Sequence, residues 1–127
     1  MADLHIELES GRTAFSPGDT LAGRVRWSVD ADPQSAELRL FWYTSGKGTE
    51  NVGVMQTMTF DRPQISDRRE FRMILPHQPY SCSGTLVSIV WALELIVEPK
   101  SWTERLELTI APGGVEVTLG TVPSSSS

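Results

Sequence analysis

Cysteine occurs once in this chain, at Cys82, and histidine only at His5 and His77. A lone thiol makes no intramolecular disulfide, so the fold is expected to stand without an oxidising compartment. One Cys and two distant His cannot close a tetrahedral metal site. Asp30, Asp32 and Glu37 lack the alternating-oxygen loop with a central Gly that calcium takes. No metal and no cofactor is expected. His77, Tyr80, Ser81, Cys82 and Ser83 share one turn-rich segment. A nucleophile there would need a base and an orienting acid within hydrogen-bond reach. Neither Gly-x-Ser-x-Gly nor a known cysteine-enzyme pattern occurs. The chain is expected to be no enzyme, with no catalytic residues.

Runs of basic residues are missing too. Eleven Lys and Arg stand against sixteen Asp and Glu, a net charge of -5. Arg24, Arg26, Arg62, Arg68, Arg69 and Arg72 are interleaved with acids, which argues against a nucleic-acid footprint. The longest apolar run, residues 86–97, is too short to cross a bilayer and contains Glu94. The opening residues 1–9 enter an alternating pattern at once, without the basic and apolar regions of a signal peptide. No integral membrane segment is expected, and a cytoplasmic location follows as the default. Residues 45–49, Ser-Gly-Lys-Gly-Thr, resemble a phosphate-binding loop only briefly. The required spacing is absent and no helix follows, so a hairpin tip is expected there. Lys47 at that tip remains a candidate contact residue, since loop tips on rigid scaffolds often carry binding.

No stretch holds a helical period. What is present is alternation. In residues 86–97, Val87, Ile89, Trp91, Leu93, Leu95 and Val97 fall on one side, with Leu86, Ser88, Val90, Ala92, Glu94 and Ile96 on the other. A strand apolar on one side and nearly so on the other belongs in the middle of a sheet. Leu4, Ile6 and Leu8 alternate with His5, Glu7 and Glu9; Leu21, Gly23, Val25, Trp27 and Val29 alternate with Ala22, Arg24, Arg26 and Ser28. Leu38, Leu40 and Trp42 oppose Glu37, Arg39, Phe41 and Tyr43. Val52, Val54, Gln56, Met58 and Phe60 form the expected inward side of a fourth strand, with Gln56 its one polar position. Phe71, Met73 and Leu75 mark a fifth. Trp102, Leu106, Leu108 and Ile110 mark a seventh, and Val115, Val117 and Leu119 an eighth. Turn signals separate them, among them Pro17-Gly18 and Pro112-Gly113-Gly114. About eight strands without a helix predict an all-β, antiparallel, two-sheet β-sandwich of the arrestin/immunoglobulin-like kind. Trp27, Trp42, Trp91 and Trp102 all fall on inward sides. A single domain is expected over residues 1–122, with a disordered Ser-rich tail over residues 123–127.

Two segments carry a family resemblance. Residues 15–25, Phe-Ser-Pro-Gly-Asp-Thr-Leu-Ala-Gly-Arg-Val, resemble the F-x-x-G-D-x-hydrophobic-x-G-x-V segment near the start of arrestin-fold domains. Leu75-Pro76, then Tyr80-Ser81 and Gly84, then residues 90–94 (Val-Trp-Ala-Leu-Glu), resemble the later L-P…S-x-x-G…hydrophobic-aromatic segment of the same domains. Order and spacing match over roughly the first hundred residues. The family includes the arrestins, the retromer's arrestin-fold subunit and bacterial sporulation-control proteins, and the resemblance implies a non-enzymatic adaptor or scaffold that binds other proteins. Those relatives hold two such domains in tandem, so their inter-domain features and phosphate-sensing positions are not carried over to any residue here.

The outward side of the central strands supplies the candidate protein-contact residues Arg24, Arg26, Arg39, Phe41 and Tyr43, beside Lys47. Aromatic rings mixed with Arg are enriched at protein interfaces. The plainer role for the charges is cross-strand pairing of Arg24 or Arg26 with Glu37 or Glu94. The expected partner is another protein, or a second copy through a sheet face or edge. The alternative is a small-ligand-binding sandwich with a pocket among the end loops around Pro17, Ser45 and Tyr80.

Overall fold

A computed structural model describes residues 2–9, 11–46, 51–83, 87–114 and 117–118. Lys47, Gly84 and the tail at residues 123–127 lie outside the described residues. Ten strands occur among them, with no α-helix and one 3-10 turn at Pro112–Gly114. The strands are β1 (Asp3–Leu8), β2 (Ala14–Phe15), β3 (Thr20–Ser28), β4 (Ser35–Gly46), β5 (Val52–Phe60), β6 (Ser66–Ile74), β7 (Cys82–Ser83), β8 (Val87–Glu98), β9 (Trp102–Ile110) and β10 (Val117–Thr118).

They form two sheets. The smaller is ordered β1-β3-β6. The larger runs β5-β4-β8, continues through β9 to β2, and carries β7 and β10 beside the start of β8. All the long pairings are antiparallel, as expected. Two short pairings, β2 with β9 and β10 with β7, are parallel. Neither β2 nor β7 is foreseen by alternation, because two residues are too few to show a period of two. The strand expected in the middle of a sheet is there: β8 is paired by β4 on one side and by β9 on the other.

The core lies between the sheets. Leu21, Val25 and Trp27 from β3 meet Leu38 and Leu40 from β4 and Trp91, Leu93, Leu95 and Val97 from β8. Trp27 and Trp91 are fully buried, while Trp42 and Trp102 pack against the core from its margin. Each buried indole N–H keeps an acceptor, which removes the cost of burying it. Trp27 Nε1 donates to the Gln64 carbonyl at 2.7 Å and Trp91 Nε1 to that of Pro79 at 2.8 Å. Gln56 is inward, as expected, opposite Leu40. Its Nε2 donates to the Ile74 carbonyl at 2.7 Å, tying the edge of one sheet to the edge of the other.

The expectation fails at the start of β5. Val52 and Val54 are exposed, at 66% and 52%, instead of inward. The β4–β5 register shifts between Leu40 and Phe41: Leu40 faces Gln56, but Phe41 faces Val54. Met55 is thus an extra residue, a β-bulge, and everything before it changes face. Gly53 takes the inward position opposite Trp42, whose ring leaves no room for a side chain: a Cβ there would run into Trp42 Nε1.

Candidate functional site

The bulge assembles a surface that alternation alone would have split. On the outer face of the larger sheet, Phe41 and Tyr43 of β4 stand opposite Val54 and Val52 of β5. The two rings stack with centroids 6.0 Å apart. Arg105 of β9 lies over both, its guanidinium carbon 5.0 Å from the Phe41 centroid and 5.4 Å from that of Tyr43. Tyr43 Oη donates to Glu107 Oε2 at 3.0 Å. Burial, together with the bond and charge of Glu107, pushes the Tyr43 hydroxyl pKa above its ordinary value.

Charge on this face is paired. Arg39 Nη2 donates to Glu37 Oε1 at 2.6 Å, and Arg105 Nη2 reaches Glu94 Oε2 at 3.5 Å. A shallow depression of about 530 Å³ covers the patch, lined among others by Arg39, Phe41, Tyr43, Val52, Val54 and Arg105.

The structure brings together only part of the expected contact set. Arg39, Phe41 and Tyr43 share one face of β4. Arg24 and Arg26 lie on β3, on the outer face of the smaller sheet, across the core from them. Their register neighbours are Glu7 and Glu70 for Arg24, and His5 and Arg68 for Arg26, so the pairing expected with Glu37 or Glu94 does not form. Which strands become neighbours is a non-local property that alternation does not encode. Phe41, expected in water, is only 6% exposed because Arg105 and Tyr43 cover it. Val52, Val54 and Arg105 were missed: the valines for the bulge, Arg105 because its strand's place beside β8 is not readable locally.

At the other candidate region, Ser81 is buried and bound to the main chain: its N–H donates to the Ile110 carbonyl at 2.7 Å and its Oγ accepts from Ile110 N at 2.9 Å. Cys82 beside it is buried. Ser45 joins the depression over Phe41 and Tyr43, but Pro17 and Tyr80 do not line it. Among the described residues, no group of three or more His, Cys, Asp or Glu is placed to hold a metal ion, and no helix is long and apolar enough to cross a membrane.

No family model matches this chain, and no curated protein sequence does. Among solved structures it is similar to Spo0M, the sporulation control protein of Bacillus subtilis, at a TM-score of 0.63 and 16% identity, over 87% of this chain and 49% of that one. The chain thus spans about half the length of Spo0M. A part of the β-glucosidase from Listeria innocua aligns at a TM-score of 0.48 and 10% identity, over 92% of this chain and 16% of the enzyme. What the first likeness shows is the fold: this chain is a β-sandwich related to that of Spo0M.

Proposed function

We propose that this chain is a non-enzymatic protein-interaction module, an adaptor or scaffold acting in the cytoplasm as a single arrestin-like domain, and that its contact face is the outer side of the larger sheet around Tyr43, Val52, Val54 and Arg105. The observation that carries the reading is the exposure of Val52 and Val54, at 66% and 52%, beside an Arg-capped aromatic stack. Apolar side chains left in water next to Tyr and Arg give the composition of an interface centre, and their paired acids form a polar rim. The fold shared with Spo0M, a protein described as a sporulation control protein, supports a regulatory role.

The test is co-purification from the native source, comparing wild type with Arg105→Glu and Tyr43→Ala. Both variants should lose the same bound protein while keeping the far-UV spectrum of the folded wild type, the modest loss of stability expected from the outer layer notwithstanding. Retention of every partner by both variants would remove this face from the reading. A second reading, a small-ligand-binding sandwich, draws on the depression of about 530 Å³ over the same residues; a protein that co-purifies with a small molecule and no polypeptide would favour it.

A further inference from the structure

On the outer face of the smaller sheet, charge is laid out in rows across β1, β3 and β6. One row is balanced: Arg24 stands between Glu7 and Glu70. The next is not. Arg26 stands between His5 and Arg68, three basic residues side by side. Like charges directly opposite on neighbouring strands, with Cβ atoms about 5 Å apart, destabilise a sheet. Among the described residues no carboxylate forms an ion pair with Arg26 or Arg68. The two acids that border them, Asp3 and Asp67, are engaged elsewhere: Asp3 bonds His5 Nε2 at 2.8 Å, and Asp67 accepts from Arg69 at 3.0 Å. Ser28 and Ser66 stand opposite each other, two residues along from Arg26 and Arg68, so their hydroxyls share the same face. All four side chains line one open depression of about 530 Å³.

We propose that Arg26 and Arg68, with Ser28 and Ser66, bind a phosphate group, either the free ion or the monoester of a small molecule. Charge selects this chemistry first. Two guanidiniums call for two negative charges, and a phosphate monoester carries nearly two at pH 7, where a carboxylate carries one. The donor geometry agrees. One guanidinium fork satisfies a planar carboxylate and would leave the second Arg without a partner. A phosphate monoester presents three terminal oxygens, enough for a guanidinium on each side and a hydroxyl from Ser28 or Ser66. The neighbouring row keeps the ligand small, because an extended polyanion would run from Arg26 onto Glu7 and Glu70. This site lies across the core from the contact face proposed above and stands or falls without it.

The experiment is an amide NMR titration of the full chain in phosphate-free buffer, with inorganic phosphate, phenyl phosphate and malonate as probes. Malonate carries two charges on planar groups and so isolates the geometry. Either phosphate probe should shift amides of residues 26–28 and 66–68, with saturation below roughly 10 mM, and should bind at least tenfold tighter than malonate. Tighter binding of phenyl phosphate than of inorganic phosphate assigns the site to an ester, and equal binding assigns it to the free ion. Arg26→Gln and Arg68→Gln should each weaken binding at least tenfold, the scale of one charge-assisted hydrogen bond. Arg24→Gln makes the same change of net charge one row away and should stay within about threefold, since salt screens exposed charges at that range. Without ligand, Arg26→Gln and Arg68→Gln should melt at or above wild type, because each removes a like-charge repulsion. Absence of shifts with both phosphate probes, malonate binding as tightly as phosphate, or equal losses in Arg24→Gln and Arg26→Gln each overturns the proposal. A lower melting temperature in both ligand-free variants overturns it too, since the pair would then serve the fold.

Discussion

Arg105 reaches the ring of Phe41, with its guanidinium carbon 5.0 Å from the centroid, although β8 runs between their two strands. What lies between is Ala92, paired with Phe41 on one side and with Glu107 on the other. A methyl group at that position leaves a trough across the middle strand. Arg105 fills it from β9 and Phe41 from β4, and Ala92 beneath is fully buried. The outer face of the larger sheet is therefore a second packed layer, built on one small residue.

That layer should be measurable. Arg105→Ala removes a cation from two ring faces and should cost about 0.5–1 kcal/mol, the scale of a largely exposed cation–π contact. Phe41→Ala should cost more, about 1.5–3 kcal/mol, because the ring is already covered. Urea denaturation of both variants checks the order. An unchanged midpoint for Phe41→Ala would mean that the ring is not held in this layer.

Gly53→Ala should destabilise by about 1–3 kcal/mol, since the new Cβ would meet the Trp42 ring and overpacking forces one of them to move. Val54→Ala, one residue away and exposed, should stay within about 0.5 kcal/mol of wild type. Thermal melting of the pair tests the bulge: similar losses in both would mean that residues 52–54 keep the unbulged register.

Trp91→Ala should cost about 3–5 kcal/mol. It removes the largest class of side chain from the centre of β8 and orphans the Pro79 carbonyl that its indole N–H reaches at 2.8 Å. Denaturant titration followed by circular dichroism gives the value, and a near-neutral midpoint would place Trp91 outside the core.

Asp67 sets an acid dependence. Its burial works against the charge, but Arg69 and the Gln64 and Arg68 amides outweigh that and hold its pKa below the ordinary value of 3.8. A carboxyl depressed on folding contributes stability above its unfolded pKa and loses it as pH falls through the folded one. Asp67→Asn should therefore melt lower than wild type at pH 7, by about 1–2 kcal/mol for lost charge-assisted hydrogen bonds. The gap should persist as pH falls to the ordinary 3.8 and close only below it, as the folded carboxyl takes up its proton and both side chains become neutral. A gap that stays constant however far the pH falls while the protein remains folded would assign the effect to packing.

Period-two alternation by itself determined that residues 86–97 form a central strand, that Trp27 and Trp91 point inward, and that β3, β4 and β8 turn their Leu and Val to one core. Side-chain direction along a strand is local, so sequence carries it. Two other matters were decided only in three dimensions. One is the sheet each strand joins: Arg24 and Arg39 read alike as outward arginines, yet they lie on opposite faces of the sandwich, because pairing unites residues far apart in the chain. The other is the bulge at Met55, which turns Val52 and Val54 from core to surface. The run from Val52 to Phe60 alternates without a visible break, and only the bulk of Trp42 over Gly53 shows why the strand slips there. The candidate interface rests on that slip, and a repeat of two cannot announce the one place where it fails.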